Sequence, residues 1–223
     1  MENIMQLLFD ISVWILPVMS AIILHEIAHG WAALYFGDDT AKRMGRLTLN
    51  PLSHIDRTGT ILLPALLVFI KSPVVFGYAK PVPVDFSRLS PLRLGTICVA
   101  LAGPFTNLLL AILAGLLLHI DYFITPEEAP WIFNNLINML GVNGVLMVFN
   151  LIPVIPLDGG RVLAALLTKN PRVWFDKWDS VGMLIVLAVI FIPSLFGYNI
   201  VSIVIGTPTF WVLEKVLWIT GNA

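Results

Sequence analysis

The stretch ISVWILPVMSAIILHEIAHGWAALY, residues 11–35, is long and apolar enough to cross a bilayer, yet it holds two imidazoles and a carboxylate. A helix crossing about 30 Å of hydrocarbon needs about 20 residues. On such a helix His25 and His29 lie four apart, share one face, and can hold one metal ion between them. Glu26, one step round from His25, can reach a water beside that metal without ligating it. An acidic side chain near the centre of a membrane helix costs about 2.5–3.5 kcal/mol. The alternative is a chance His-Glu-x-x-His on a soluble helix. The apolar setting weighs against it, because a cost of that size calls for a function such as a catalytic metal.

The rest of the chain has the same character. Of 223 residues, 58% are hydrophobic and 12% charged, and the mean hydropathy is +0.89. Soluble domains carry about 25% charged residues, so this composition reads as an integral membrane protein. The net charge of -1 leaves no footprint for nucleic acid. One cysteine, Cys98, excludes an internal disulfide framework and a cysteine-based zinc site. The N-terminus carries Glu2 and Asp10 and no Lys or Arg before Lys42, so it lacks the positive start of a signal peptide and reads as a retained membrane helix.

Five apolar segments are expected to span, at 11–35, 92–118, 131–156, 180–197 and 199–219. A sixth, 60–76, is shorter and carries Pro64, Lys71 and Pro73. The predicted fold is an all-α polytopic membrane protein of five to six transmembrane helices, forming a single domain over 1–223. Loops 36–59, 77–93 and 161–179 carry the basic residues, whereas the N-terminus, 119–130 and the Gly197–Asn199 turn have none. The positive-inside rule puts the basic loops in the cytoplasm. Segment 60–76 is then expected to be re-entrant or a membrane-dipping hairpin; the alternative, six full crossings, would leave one basic loop outside. The first span and the 131–156 span both run inward, bringing Asp158 to the depth of His25 and His29.

A catalytic zinc takes three protein ligands and leaves a position for water. Asp158 is the candidate for the third. It follows Asn150-Leu151-Ile152-Pro153-Val154-Ile155-Pro156-Leu157, where two prolines must interrupt the helix. Broken backbone at membrane depth is tolerated where it is buried in protein or lines a cavity. Asp158 has a second reading, as the cap of a short helix beginning at Gly159.

Taken together, His25-Glu26-x-x-His29, the Asn150-to-Gly159 run and Gly103-Pro104-Phe105-Thr106-Asn107 between them resemble the site-2 protease family of intramembrane zinc metalloproteases (peptidase family M50). The resemblance implies that His25, His29 and Asp158 bind one Zn2+ per chain and that Glu26 is the general base. It implies that Asn150 helps position the substrate backbone and that Asn107 hydrogen-bonds near the site. Its substrates would be transmembrane segments of other membrane proteins, cut within the lipid bilayer. The expected location is the cell membrane, with the active site in its cytoplasmic half. Some members carry PDZ or CBS domains, for which this chain has no room.

Two further stretches suit compact members of that family. Residues 45–50, with alternating Leu47 and Leu49, read as a short strand before Asn50-Pro51, and 77–85, with alternating prolines, as an extended edge. That edge could pair with an unwound substrate, or be an ordinary interfacial loop. His54 could lie behind a metal ligand, touch substrate, or simply sit at the interface. A different class of function remains open: a membrane metal-binding or metal-transport protein using the same His/His/Asp set. Glu26 separates the two, because hydrolysis requires it and metal binding does not.

Overall fold

The computed structural model describes residues 2–70, 77–168 and 170–222. Helix α1 (Glu2–Tyr35) holds the first span and is followed by a single turn, α2 (Thr40–Arg43). A 3-10 turn (Pro51–His54) leads into a π-helical turn (Arg57–Leu62) and helix α3 (Leu63–Phe69). Helix α4 (Leu92–Leu117) follows a second 3-10 turn (Phe86–Arg88). Then come α5 (Pro130–Asn150), α6 (Asp158–Leu167), α7 (Arg172–Leu195) and α8 (Thr207–Thr220), the last preceded by a π-helical turn at Ser202–Gly206.

Four helical stretches among the described residues are long and apolar enough to cross a membrane: Ile4–Tyr35, Leu92–Tyr122, Pro130–Asn150 and Ser202–Thr220. Five or six were expected; the remaining expected span, 180–197, falls largely within the 24-residue α7. The expected 131–156 span ends as a helix at Asn150, because Pro153 and Pro156 break the ladder and leave 151–157 as turns.

The apolar segment near 60 is too short to cross, and its ends meet. The Tyr78 N–H donates to Gly59 O (3.0 Å), and the Thr60 hydroxyl donates to Tyr78 O (2.9 Å). These bonds keep Gly59 and Tyr78 on the same side of a membrane, in line with the charge pattern. Lys71 and Pro73 lie outside the described residues.

The two expected β-like segments do not form strands; the described residues contain none. Residues 45–50 and 77–85 do lie close together, but a side chain and single backbone bonds join them instead of a ladder. Arg46 Nη2 donates to Lys80 O (2.9 Å), and the Lys80 N–H donates to His54 O (2.9 Å). Pro81 and Pro83 supply no N–H, so 77–85 cannot build a regular ladder.

Polarity is inverted relative to a soluble bundle. Leu7, Trp14, Phe105, Leu109, Leu116 and Phe210 face outward, while Thr96, Asn107, Asn135 and Asn143 are buried. Small residues bring the helices together: Ala33 packs with Val99 where α1 meets α4, and Ala111 and Ala114 of α4 pack against Leu140 of α5 and Val216 of α8. Where apolar packing supplies little net drive, close backbone approach and buried hydrogen bonds do the holding.

Candidate metal centre

Helices α1, α4 and α5 pack against one another, and α6 packs on α4. Arg93 of α4 ties α6 down by donating from Nε to Ala165 O (2.7 Å) and from Nη2 to Leu166 O (2.6 Å). These are carbonyls of the last turn of α6, where cations are favoured. The opposite, N-terminal end of α6 carries Asp158, which is thereby brought to the two histidines of α1.

The three side chains form one buried group. His25 Nε2 lies 2.9 Å from His29 Nε2, and Asp158 Oδ2 lies 3.3 Å and 3.4 Å from those two nitrogens. Asp158 is the first residue of α6 and makes no side-chain cap; Oδ2 is buried without a hydrogen-bond donor. Gly103 of α4 makes room for the rings, since a Cβ built on it would stand 2.5 Å from His25 Cε1 and from His29 Nε2.

The outer nitrogens set the chemistry of the group. His29 Nδ1 lies 2.7 Å from Val99 O, which can only accept, so Nδ1 carries a proton and the neutral ring keeps its lone pair on Nε2. His25 Nδ1 lies 2.6 Å from Asn107 Oδ1. The Asn107 amide is oriented by its other end, because Nδ2 donates to Ala21 O (3.3 Å) and to Asn143 Oδ1 (2.8 Å). His25 therefore also donates from Nδ1 and turns a lone pair inward. With both rings neutral, two imidazole lone pairs and a carboxylate oxygen face one another, a donor set suited to a cation.

Their separations fit a metal as well. Ligand atoms about 2.0–2.1 Å from a tetrahedral ion stand about 3.4 Å apart, and each of the three residues offers a ligand atom within 4.8 Å of the others. Two nitrogens and one oxygen are a donor set for zinc, leaving one position open. Glu26 stays out of this set: its Oε2 accepts the Val82 N–H (2.7 Å). Val82 is held in turn by its segment, whose Asp85 N–H donates to the fully buried Asp38 (2.7 Å).

The other expected residues divide. Asn107 is fully buried and touches His25 directly. Asn150 ends α5 and donates to Leu146 O of its own helix (3.0 Å), with no hydrogen bond to the trio. His54 is only 2% exposed and donates from Nε2 to Thr48 O (2.8 Å), so it braces the 46–54 turn and is not a surface histidine. Asn143 and the Val82 N–H went unread. Asn143 had a signal, a polar residue inside an apolar span, whereas a backbone N–H has none.

Comparison with known proteins agrees with this geometry. The profile described as Peptidase family M50 matches residues 13–125. The chain is 36% identical over 188 residues to a Bacillus subtilis (strain 168) protein named "Putative zinc metalloprotease YwhC", covering 82% of each. It is 31% identical over 189 residues to "Putative zinc metalloprotease Rip2" of Mycolicibacterium smegmatis, covering 83% of this chain and 70% of that one. No solved structure gave a significant match. With a family profile spanning the helix of the histidines and a relative aligned over four-fifths of its length, this multi-pass membrane chain belongs to peptidase family M50, the site-2 protease family, and is a metalloprotease.

Proposed function

We propose that the protein is a zinc-dependent endopeptidase that hydrolyses peptide bonds within the transmembrane segments of other membrane proteins, as in regulated intramembrane proteolysis. The observation that carries this reading is the buried trio of lone-pair donors with Glu26 beside it, inside a bundle whose outer surface is apolar. His25, His29 and Asp158 would hold one zinc ion per chain. When bound there, zinc supplies Lewis acidity, acidifying water toward a pKa of about 7 and polarising a carbonyl.

The protein's own groups do the remainder. With Oε2 fixed by the Val82 N–H, Glu26 has Oε1 to take the proton of the attacking water. As the C–N bond breaks, the same carboxyl returns that proton to the leaving amide nitrogen. Asn150 has a second amide N–H beyond the one given to Leu146 O, and we assign it to the substrate backbone or to charge developing on the carbonyl oxygen. The substrate must unwind locally, because a helix keeps its carbonyls hydrogen-bonded and shielded. The basic loops support a site in the cytoplasmic half of the cell membrane. A metal-transport role is not favoured: the buried His/His/Asp group forms one cluster with a base next to it, not a chain of polar groups through the bundle.

The test is cleavage of a model transmembrane substrate in liposomes by wild type and Glu26→Gln, with zinc quantified in both. Wild type should cleave, the variant should not, and both should hold about one zinc. Proteolysis retained in Glu26→Gln would sink the mechanism; zinc retained without cleavage by either protein would leave a metal-binding protein.

A further inference from the structure

We infer that Asn143 of α5 is a positioning residue for the metal centre, acting through Asn107 on the orientation and ring tautomer of His25. The inference rests on the reading of His25, His29 and Asp158 as the zinc ligands. Asn143 and Asn107 are both fully buried, and a polar side chain held inside a membrane bundle is costly unless its groups are partnered. Packing alone would be served as well by a leucine.

The hydrogen bonds run in one direction. Met139 O can only accept, so the Asn143 group 2.8 Å from it is the amide nitrogen. Asn143 Oδ1 must then face Asn107, where it accepts from Nδ2 at 2.8 Å. That leaves Asn107 Oδ1 toward His25 Nδ1, which donates the ring's one proton. Two backbone carbonyls, Met139 O on α5 and Ala21 O on α1, thus dictate through two amides that His25 presents a lone pair at Nε2.

Reversing the Asn107 amide would set its Oδ1 against Asn143 Oδ1 and Ala21 O, acceptor against acceptor. It would also turn an N–H toward His25 Nδ1, moving the ring proton to Nε2. A protonated Nε2 cannot ligate a metal. Without Asn143, only the longer bond to Ala21 O (3.3 Å) opposes that reversal. Partners lying behind metal ligands alter metal affinity by about 10–100-fold when removed.

The experiment is zinc affinity of the full chain in detergent, by competition with a chromophoric chelator, for wild type, Asn143→Leu, Asn143→Ser, Asn107→Leu and the Asn107→Leu/Asn143→Leu double variant. Serine can keep a bond to Met139 O one turn back but is too short to reach Asn107, so it carries the test if the leucine variant fails to fold. Both Asn143 variants should bind zinc about 10–100-fold more weakly. On the Asn107→Leu background the Asn143 change should add no more than about twofold, because groups acting in series are not additive. Affinity within twofold of wild type in Asn143→Ser, or a full additional loss on the Asn107→Leu background, overturns the inference and leaves the zinc reading standing. If His25→Ala binds zinc as tightly as wild type, the ligand assignment itself fails and the inference goes with it.

Discussion

At the scale of single residues, His25 and His29 meet α4 at Gly103, where there is no space for another carbon. The methyl group of Gly103→Ala would stand 2.5 Å from both rings, far inside van der Waals contact. Because alanine is a better helix former than glycine by about 1 kcal/mol, the substitution should not melt α4. It should push the rings or the helices apart instead. We expect Gly103→Ala to fold and to bind zinc at least about tenfold more weakly, with cleavage falling in step. Elemental analysis and a rate measured on the same preparation check this. Full zinc with an undiminished rate would mean that the rings are not held where they stand.

At the scale of elements, segment 77–85 links the basic 36–59 loop to Glu26, the proposed general base. Its backbone is held at Tyr78 by Gly59 O, at Lys80 by His54 O, at Val82 by Glu26 and at Asp85 by Asp38. The Val82 contact is the one that reaches chemistry. Val82→Pro removes that N–H, and a hydrogen bond to a charged group is worth about 1.5–3 kcal/mol. Cleavage should therefore fall by about 10–100-fold with zinc content unchanged, while Val82→Leu, which keeps the N–H, should cleave near the wild-type rate. Equal rates for the proline and leucine variants would show that Glu26 needs no such partner.

At the scale of the whole molecule, the contact between Gly59 and Tyr78 decides which loops share a side. Because Tyr78 returns to Gly59, Arg57 and Lys80 must lie on one face of the membrane, and both side chains are exposed. In a Cys98→Ser background, Arg57→Cys and Lys80→Cys should react with an impermeant maleimide from the same side of sealed vesicles. Labelling from opposite sides would contradict the Gly59–Tyr78 contact. The same arrangement puts loops 36–59 and 77–93 together, as their shared positive charge requires.

Much of this was legible in the chain, for a local reason. Helical periodicity alone puts His25 and His29 on one face with Glu26 beside them. Pro153 and Pro156 cannot continue a helix, so α5 had to end before Asp158. Apolar length marked four helices long enough to cross a membrane, out of five or six expected spans. Other features depended on contacts between distant segments. The composition of α5, with Asn134, Asn135, Asn138, Asn143 and Asn150, does not say which amide meets Asn107, since that depends on how three helices are rotated against each other. His54 could be read as lying behind a ligand, on substrate or at the interface, and it is buried because its neighbours are Thr48 and the returning 77–85 segment. The strands expected at 45–50 and 77–85 are absent because alternation calls for a ladder partner, which a proline-rich neighbour cannot be. Proton positions on the histidines belong to this second kind: a tautomer is set by whichever acceptor folding brings to Nδ1, and here the acceptors come from α4, held in place by α1 and α5.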